Sequence, residues 1–418
     1  NYEGAPESVT IEIDAGSIIQ PYDSENPNTA PQTPTREGYR FAGWDTERNP
    51  VLENGYSPTA WPIGEYFQAY YATFGDLSEA KDDHVRPVSD VTLYARWVGK
   101  TTISSADELF NMREDLSGWY ELTEDVDLTG YAWCPIGTYR SNYEWMNQSW
   151  WLEAFRGKFD GAGHTITGLV LDTTEYYDVT LDPENELRNG CAGFFGAAAD
   201  GAEVCNVTLS NVSVQITGAT AYNYIAPLIA FVEGCDITNC HVTGLDYNVT
   251  VQDDNTARGM YTSLGGLISG IWDGDITGCS SQGTMRVELT SNKSHMGDNF
   301  IGGLVGDGYT VIDNNSADVE ITISYRNNCT EPYENPGEIP SGLELVYAVG
   351  WQKILAGGLA GQINVATNCV SSGNLTISIE SEQDNTALIA DPLCGAILTP
   401  GEEGMAGSSA TGTLEVIE

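Results

Sequence analysis

The stretch Gly302-Gly303-Leu304-Val305-Gly306 decides the fold, because versions of it recur through the second half of the chain. The other versions are Gly193-Phe194-Phe195-Gly196, Pro227-Leu228-Ile229-Ala230, Gly265-Gly266-Leu267-Ile268 and Gly357-Gly358-Leu359-Ala360-Gly361. Most neighbours are about 35 to 40 residues apart, and a short β-branched run follows each of them. A repeat of this length indicates stacked units, since one unit cannot bury its apolar face alone.

The repeated units are rich in strand-forming residues and show no helical periodicity, so we predict an all-β fold with one coil per repeat. This fold is a right-handed parallel β-helix, or solenoid, of about five or six coils. Coils that stack in register bring equivalent residues into inward columns. We expect the leucines of the recurring stretch, Leu267, Leu304 and Leu359, to be buried in one such column.

The cysteines predict a second column. Cys205, Cys240, Cys279 and Cys369 each lie about a dozen residues after a recurring stretch, and Ser316 has this position in another repeat. Neighbouring rungs lie about 4.8 Å apart, which suits either buried, unreactive thiols or disulfides between rungs. Disulfides could also join the other cysteines, Cys134, Cys191, Cys235, Cys329 and Cys394. Both arrangements stay open, and nothing in the sequence indicates a catalytic thiol.

The composition is strongly acidic. The 418 residues include 60 Asp and Glu against 17 Lys and Arg, which gives a net charge of -43. This balance excludes nucleic acid and anionic membranes as partners, because no basic stripe exists to neutralise phosphates. No apolar stretch of 18 or more residues occurs, so we expect no direct insertion into a membrane. The 46 Gly, 22 Tyr and 10 Trp suit the tight corners and half-buried sheets of an extracellular protein.

Two aromatic stretches mark the N-terminal part of the chain. They are Pro34-Thr35-Arg36-Glu37-Gly38-Tyr39-Arg40-Phe41-Ala42-Gly43-Trp44 and Val91-Thr92-Leu93-Tyr94-Ala95-Arg96-Trp97. Their alternation predicts a small aromatic core, behind a first strand over Val9–Asp14. Both stretches resemble the hallmarks of the Listeria–Bacteroides repeat, a small module of bacterial and archaeal surface proteins. The resemblance implies a β-grasp-like domain over residues 1–98.

The next segment looks like the entry to the repeats. Ser104 or Ser105 is expected to cap a short helix that runs through Leu116. The stretches 133–137 and 155–169 follow, with the sequences WCPIG and FRGKFDGAGHTITGL. This order resembles the start of solenoids that carry the GLUG motif, which occur in large adhesins and beside proteases that cut immunoglobulin A. The resemblance implies a capping helix with entry strands (99–160) and a parallel β-helix with GLUG-like repeats (161–395). The composition of the remaining residues indicates a Gly/Ser-rich tail with a terminal strand (396–418).

The sequence shows little sign of catalytic chemistry. The four histidines are scattered and form no His-Glu-x-x-His motif, and His164 is expected to pack at a coil corner. We expect no catalytic residue and no cofactor except, at acidic turns, calcium. The candidate calcium ligands are Asp125, Asp127, Asp273 and Asp275. Among eight Asn-x-Ser/Thr sequons, Asn292 and Asn328 are the better candidates for N-glycosylation, because both fall in long loops.

We therefore expect a non-enzymatic structural or adhesin-like protein, secreted or held at the cell surface. Four loops are expected to carry its binding function: 139–151, 176–188, 253–261 and 325–346. Expected partners are other surface proteins, glycans or proteins of a host or neighbouring cell, or copies of the chain. One alternative is a filament or envelope-layer subunit that exchanges its terminal strand; this strand would otherwise fold back and cap its own solenoid. Another is a polysaccharide-active β-helix enzyme, which would need carboxylates aligned with Arg or Lys across adjacent coils.

Overall fold

The architecture is that of a computed structural model. It describes residues 8–14, 17, 19–20, 22–49, 60–61, 89–138, 154–172, 179–182, 187–218, 222–253, 261–291, 297–328, 352–381, 386–398 and 402–417. These residues are mainly β, and most neighbouring strands are parallel. The predicted all-β class is therefore confirmed.

The elements before the regular repeats are short. They are β1 (Tyr39–Asp45), β2 (Ala60–Trp61), β3 (Tyr94–Ile103), α1 (Ala106–Asn111), a 3-10 turn (Met112–Glu114), β4 (Trp119–Leu122), β5 (Val126–Asp127), β6 (Lys158–Asp160), β7 (Thr165–Thr167), β8 (Val170–Asp172) and β9 (Val179–Asp182).

The repeats then supply the remaining strands. They are β10 (Leu187–Ala192), β11 (Phe195–Cys205), β12 (Thr208–Ser210), β13 (Ser213–Gly218), β14 (Tyr222–Ile225), β15 (Ile229–Thr238), β16 (His241–Asp253), β17 (Tyr261–Gly265), β18 (Ile268–Ile271), β19 (Ile276–Thr277), β20 (Ser280–Ser291), β21 (Gly297–Gly302), β22 (Val305–Gly308), β23 (Val311–Asp313), β24 (Ser316–Asn327), β25 (Gln352–Gly357), β26 (Ala360–Ile363), β27 (Val365–Thr367), β28 (Val370–Ser371), β29 (Leu375–Ser381), β30 (Thr386–Asp391), β31 (Cys394–Ile397), a 3-10 turn (Glu402–Met405), β32 (Ser409–Ala410) and β33 (Leu414–Ile417).

The strands form three sheets, here named S1, S2 and S3. S1 has the order β9-β10-β14-β17-β21-β25-β30, and S2 runs β2-β1-β3-β4-β6-β11-β15-β18-β22-β26-β31 with β19, β23 and β27 beside it. S3 runs β5-β7-β12-β16-β20-β24-β28-β32, with β8, β13, β29 and β33 attached. Each repeat contributes a strand to S1, then S2, then S3, and each strand pairs in parallel with its counterpart in the next repeat.

The recurring Gly-Leu stretch lies at the turn from S1 to S2. Leu267, Leu304 and Leu359 are completely buried there. The backbone N–H of Leu267 donates to the carbonyl oxygen of Leu304 at 3.0 Å, and that of Leu304 donates to Leu359 at 2.8 Å. Burying a leucine side chain stabilises a fold by about 1.5–3 kcal/mol. The buried leucines and their backbone hydrogen bonds therefore stabilise the stacking of each rung on the next.

The helix α1 begins after Ser105, one of the two serines predicted to cap it. The Oγ of Ser105 accepts the backbone N–H of Glu108 at 3.3 Å, which satisfies a donor that the helix itself leaves open. The apolar face of this segment carries the buried Leu109 and Met112. Both side chains belong to the main core, so the helix covers the apolar interior near the first rungs.

The N-terminal part is joined to the repeats through β3. This strand pairs antiparallel with β1 and parallel with β4, so it crosses the boundary predicted at residue 98. Phe41 packs against Trp97, with ring centroids 5.8 Å apart. Arg40 donates from Nη2 to the carbonyl oxygen of Gly201 at 3.0 Å, which fixes the N-terminal part against β11. The predicted first strand over Val9–Asp14 is absent, because no described strand pairs with these residues.

The terminal strand lies on its own molecule. Leu414 pairs in parallel with Leu375, and Ile417 pairs with Ser378, so β33 extends S3 by one rung. Val416 and Ile417 remain 43% and 49% exposed at this last edge. The arrangement corresponds to the fold-back alternative for the terminal strand.

Candidate functional site

The carboxylates predicted to bind calcium lie in two separate places. At the first, Asp125 accepts the backbone N–H of Thr165 at 2.9 Å and lies 3.3 Å from Nδ1 of His164. Asp127 accepts the backbone N–H of Thr129 at 2.8 Å. These hydrogen bonds, from Thr165 and His164 to Asp125 and from Thr129 to Asp127, lower the pKa of each carboxyl group. Both carboxylates therefore fix the local backbone.

The second place is the turn between β18 and β19. The Oδ1 of Asp273 accepts the backbone N–H of Gly274 at 2.9 Å, and the N–H of Asp275 donates to Oδ1 of Asp236 at 3.1 Å. Within the described ranges, no three His, Cys, Asp or Glu side chains form a group that could hold a metal ion. Calcium binding stays a prediction.

Cys240, Cys279 and Cys369 form a buried column where S2 meets S3. The backbone N–H of Cys240 donates to Sγ of Cys279 at 3.3 Å. The eight cysteines in the described part of the chain are free thiols, while Cys329 lies outside it. Burial raises the pKa of Cys240 well above its usual value, so this thiol stays protonated.

The observed column differs from the predicted one on two rungs. Cys205 pairs with Thr238, before the corner, and Val207 takes its place in the column. Asn315 takes the place predicted for Ser316, and its Oδ1 accepts the backbone N–H of the neighbouring cysteine at 2.7 Å. The distance from the Gly-Leu stretch to the corner varies between repeats, which is why counting along the sequence misplaces these residues.

A column of asparagines at the same corner was not predicted. Asn206, Asn239, Asn314 and Asn368 have φ of 53° to 55°, and Gly278 on the intervening rung has φ of 68°. Asparagine and glycine enter this left-handed region more readily than other residues. The Nδ2 of Asn239 donates to Oδ1 of Asn206 at 3.0 Å. Two of these asparagines, Asn206 and Asn314, belong to sequons but form the corner itself.

The two better glycosylation candidates are placed differently. Asn292 lies outside the described residues, whereas Asn328 directly follows β24 and is exposed. The backbone N–H of Asn328 donates to the carbonyl oxygen of Ser291 at 2.8 Å. Its glycosylation stays a prediction. The predicted display loop 139–151 and most residues of the other three also lie outside the described residues.

The outer faces of S1 and S2 turn towards each other along a line that we call the seam, where Ser263, Tyr224 and Tyr261 of S1 meet Ser269, Phe231 and Asp307 of S2. The hydroxyl of Ser263 in S1 donates to the carbonyl oxygen of Ser269 at 2.7 Å, and that of Ser269 donates to the carbonyl oxygen of Ser263 at 2.6 Å. The approach is so close that a Cβ added to Gly306 would lie 2.4 Å from Oγ of Ser263. Glycine is therefore required at this position.

Aromatic side chains fill one part of the seam. Tyr224 from S1 packs against Phe231 from S2, with ring centroids 5.1 Å apart, and both are buried. Tyr261 lies between Tyr224 and Phe300, at centroid distances of 5.5 and 5.4 Å. Tyr224 and Phe231 belong to a hydrophobic cluster separate from the main core. The seam is thus a second packed region on the outer side of the sheets.

A buried carboxyl group lies beside these rings. Asp307 in S2 is only 1% exposed, and its oxygens accept hydrogen bonds from the hydroxyl of Tyr261 and, at 3.1 Å, from Nε2 of Gln362. Burial, together with nearby Asp298, raises the pKa of Asp307, whereas the hydrogen bonds from Tyr261 and Gln362 lower it, and the net value is about 6. Burial also raises the pKa of Tyr261. The three bonded side chains come from three consecutive rungs and link S1 to S2.

Charged and exposed aromatic groups surround this polar link. In S1, Nζ of Lys353 lies 3.7 Å from Oδ1 of Asp298 on the adjacent strand. Directly after β18 and β22 of S2, Trp272 and Tyr309 are 48% and 47% exposed, with ring centroids 6.2 Å apart. The Trp272 ring also contacts Phe231, at 5.8 Å. Sequence reasoning missed this cluster because its members come from several repeats and follow no common motif.

Comparison with known families supports the N-terminal resemblance. Residues 8–60 match the Listeria-Bacteroides repeat domain, so this part of the prediction is confirmed. The repeat is typical of extracellular bacterial proteins. In the described part of the chain, no helix is both long enough and apolar enough to span a bilayer. The GLUG resemblance stays a prediction.

Comparison with solved structures finds a crystal structure described as a "putative immunoglobulin A1 protease from Bacteroides ovatus". The match covers 77% of this chain and 84% of the other, with 16% sequence identity and a TM-score of 0.40. This similarity is too low to carry an argument about activity. No curated protein matches the sequence.

Proposed function

We propose that this is a non-enzymatic, secreted or cell-surface protein in which a right-handed parallel β-solenoid displays binding loops along one edge. Its partners are glycans or proteins of a host or neighbouring cell, or other surface proteins. The extracellular repeat over residues 8–60 supports the location. The in-register pairing of equivalent strands, repeat after repeat, supports the solenoid.

The observation that carries the proposal is the contrast between two sets of connections. The connection from S1 to S2 has two residues in five repeats and three residues in one repeat, between β14 and β15. From S3 to the next S1 strand the connections have 3, 7, 5, 24 and 4 residues, at 219–221, 254–260, 292–296, 328–351 and 382–385. In the regular repeats after β13 the longer connections therefore gather at one edge, and such an edge of a repeat scaffold commonly marks its binding face.

The seam favours the polysaccharide-active enzyme as the second candidate. Asp298, Asp307 and Lys353 are carboxylates and a lysine on adjacent rungs, which is the arrangement that such an enzyme needs. However, Asp307 is buried, and both of its oxygens accept hydrogen bonds from the protein itself. A carboxyl group in this state is poorly placed to reach a substrate. We therefore assign Asp307 a structural role in the seam.

The filament alternative has less support. The terminal strand that would be exchanged pairs with β29 of its own chain. Strand exchange would have to break the pairing of Leu414 with Leu375 before a new pair could form. Sedimentation of the purified protein tests this directly: a polymer that depends on residues 408–418 would support the filament.

Replacing the longest connection tests whether the sheets fold and stay stable without the loops that they display. Residues 329–350 would be replaced by a four-residue Gly-Ser linker, and residues 382–385 would be exchanged for the same linker as a matched control. We expect both variants to keep the melting temperature within a few degrees, because loop length affects stability only weakly. A large decrease for the first variant alone would show that the long connection belongs to the fold.

Protease treatment of intact producing cells tests the location. Peptides of this protein should appear in the medium or in the protease-released fraction, while those of a cytoplasmic marker should not. Purified protein should release no reducing sugar or unsaturated product from polysaccharides, with or without calcium. Turnover that is lost in Asp307→Asn and Asp298→Asn would overturn the non-enzymatic assignment.

A further inference from the structure

The outer face of S2 carries a column of groups suited to ligand contact. Glu233 lies in β15, and Trp272, Tyr309 and Asn364 directly follow β18, β22 and β26, so the register of these strands brings the four residues to successive rungs. The two aromatic residues are 48% and 47% exposed, and Glu233 and Asn364 are partly exposed. The column therefore presents a carboxylate, two aromatic rings and an amide on successive rungs.

The tryptophan of this column is fixed from two sides. The Trp272 ring meets Phe231 edge-on at 5.8 Å and an interplanar angle of 63°. It meets Tyr309 at 6.2 Å and 72° on the next rung. Such perpendicular contacts are favourable for aromatic rings. The rings thus remain exposed in a defined geometry, and two large aromatic groups side by side on a surface mark an interaction site.

The chemistry around the rings selects the class of ligand. A sugar ring has an apolar face of C–H groups, which packs on an exposed aromatic ring, and a rim of hydroxyl groups. Carboxylate oxygens and amides, such as those of Glu233, Asp273 and Asn364, can accept or donate hydrogen bonds to hydroxyls. Because these carboxylates add to a chain with a net charge of -43, an anionic ligand would be repelled.

The spacing favours a chain rather than a single sugar. Successive rungs lie about 4.8 Å apart, which is similar to the advance of one sugar along an extended glycan chain. A glycan lying parallel to the stacking direction would therefore meet one side chain of the column per sugar.

We propose that the column of Glu233, Trp272, Tyr309 and Asn364 binds a neutral glycan chain. The inference rests on the proposed extracellular location and adds to the displayed loops a second binding surface with a stated ligand class. The site lies on the rigid face of S2, so it needs none of the variable connections to be formed. Trp272 and Tyr309 supply the stacking surface, and the flanking carboxylate and amide orient the hydroxyl groups.

Native electrophoresis in gels that contain a soluble polysaccharide tests the proposal. The probes are hydroxyethyl cellulose, galactomannan, xylan and laminarin as neutral chains, and polygalacturonate as an anionic one. At least one neutral polysaccharide should retard the full chain, and polygalacturonate should not. Trp272→Ala and Tyr309→Ala should each weaken that binding by about tenfold or more, whereas Tyr309→Phe, which keeps the ring, should weaken it far less.

The matched control is Tyr22→Ala, which removes an aromatic residue that is 51% exposed but precedes β1. This variant should migrate like the original protein in every gel, and circular dichroism should show unchanged melting for all variants. Absence of retardation by all four neutral chains would overturn the proposal. Retardation that survives Trp272→Ala and Tyr309→Ala together, or retardation by polygalacturonate alone, would overturn it as well. A cytoplasmic location would refute the display function separately, whatever the gels show.

Discussion

The carboxyl group buried in the seam should make stability depend on pH in an unusual direction. Burial raises the pKa of Asp307 from 3.8 to about 6 in the folded chain. As the pH rises from about 4 to about 6, the unfolded chain loses a proton that the folded chain retains. The contribution of Asp307 to stability is therefore complete below about pH 4 and is lost as the pH rises through about 6.

The size of this effect follows from the difference between the two pKa values. About two pKa units correspond to about 3 kcal/mol, at 1.36 kcal/mol for each unit. Asp307→Asn removes the titration and keeps an oxygen that can accept the hydroxyl of Tyr261. The free energy of unfolding of this variant, minus that of the original protein, should therefore increase by about 3 kcal/mol between about pH 4 and about pH 7.

Urea unfolding of both proteins at several pH values measures this difference. Subtracting one free energy of unfolding from the other cancels most contributions from the many other carboxylates. Asp318→Asn changes an exposed carboxylate on S3 and serves as the matched control. Its difference from the original protein should vary much less with pH than that of Asp307→Asn. If the Asp307→Asn difference stays constant within about 0.5 kcal/mol across the range, Asp307 does not titrate as argued.

Further predictions concern the core, the corners, the thiols and the last rung. Leu304→Ala should lower the free energy of unfolding by about 2–5 kcal/mol, measured from denaturant midpoints, because it opens a cavity in the buried column. Asn239→Ala should be less stable than Asn239→Gly by about 1 kcal/mol or more, because φ is 53° at this corner; equal melting temperatures would contradict the left-handed assignment. Cys240 and Cys279 should resist alkylation in the native protein and react once it is unfolded in urea; mass spectrometry that finds both labelled in native buffer would contradict their burial. Deleting residues 408–418 should lower the melting temperature of the monomer, because β32 and β33 extend S3; an unchanged value would mean that they do not form the last rung.

The repeat spacing could be read from the sequence because its cause is local. Two sheets meet at each Gly-Leu stretch, and the close approach at positions such as Gly306 leaves no room for a side chain. The equivalent position holds Ser269 and Ala230 in the two preceding repeats, so small residues recur there and leave a visible pattern. The leucine beside it faces the interior on each rung, which gives the pattern its apolar partner.

Other features depend on register, which the sequence specifies less directly. The corner from S2 to S3 lies at different distances from the Gly-Leu stretch, so Cys205 was placed in a column that Val207 occupies. The asparagine column was missed because asparagine is also common in ordinary turns. The alternation over Val9–Asp14 predicted a strand, but alternation describes a face and cannot supply a partner strand.

The seam could not be predicted at all. Tyr261, Asp307 and Gln362 are separated by 46 and 55 residues, and their contact requires the outer faces of two sheets to face each other. An apolar pattern along the sequence indicates which residues point to the main core, but it does not report on packing between outer faces.

The direction of the backbone hydrogen bonds has a mechanical consequence. In S1, S2 and S3 these bonds run from rung to rung, along the direction in which the repeats stack. A force that pulls the two ends apart in this direction would load the few bonds of the terminal rung first and leave the others unloaded. The molecule should then yield by peeling, one repeat at a time, and each released repeat of about 35 to 40 residues would lengthen the tether before the next one opens. A protein built in this way would absorb a sudden pull in steps, with a sawtooth of similar forces in single-molecule stretching.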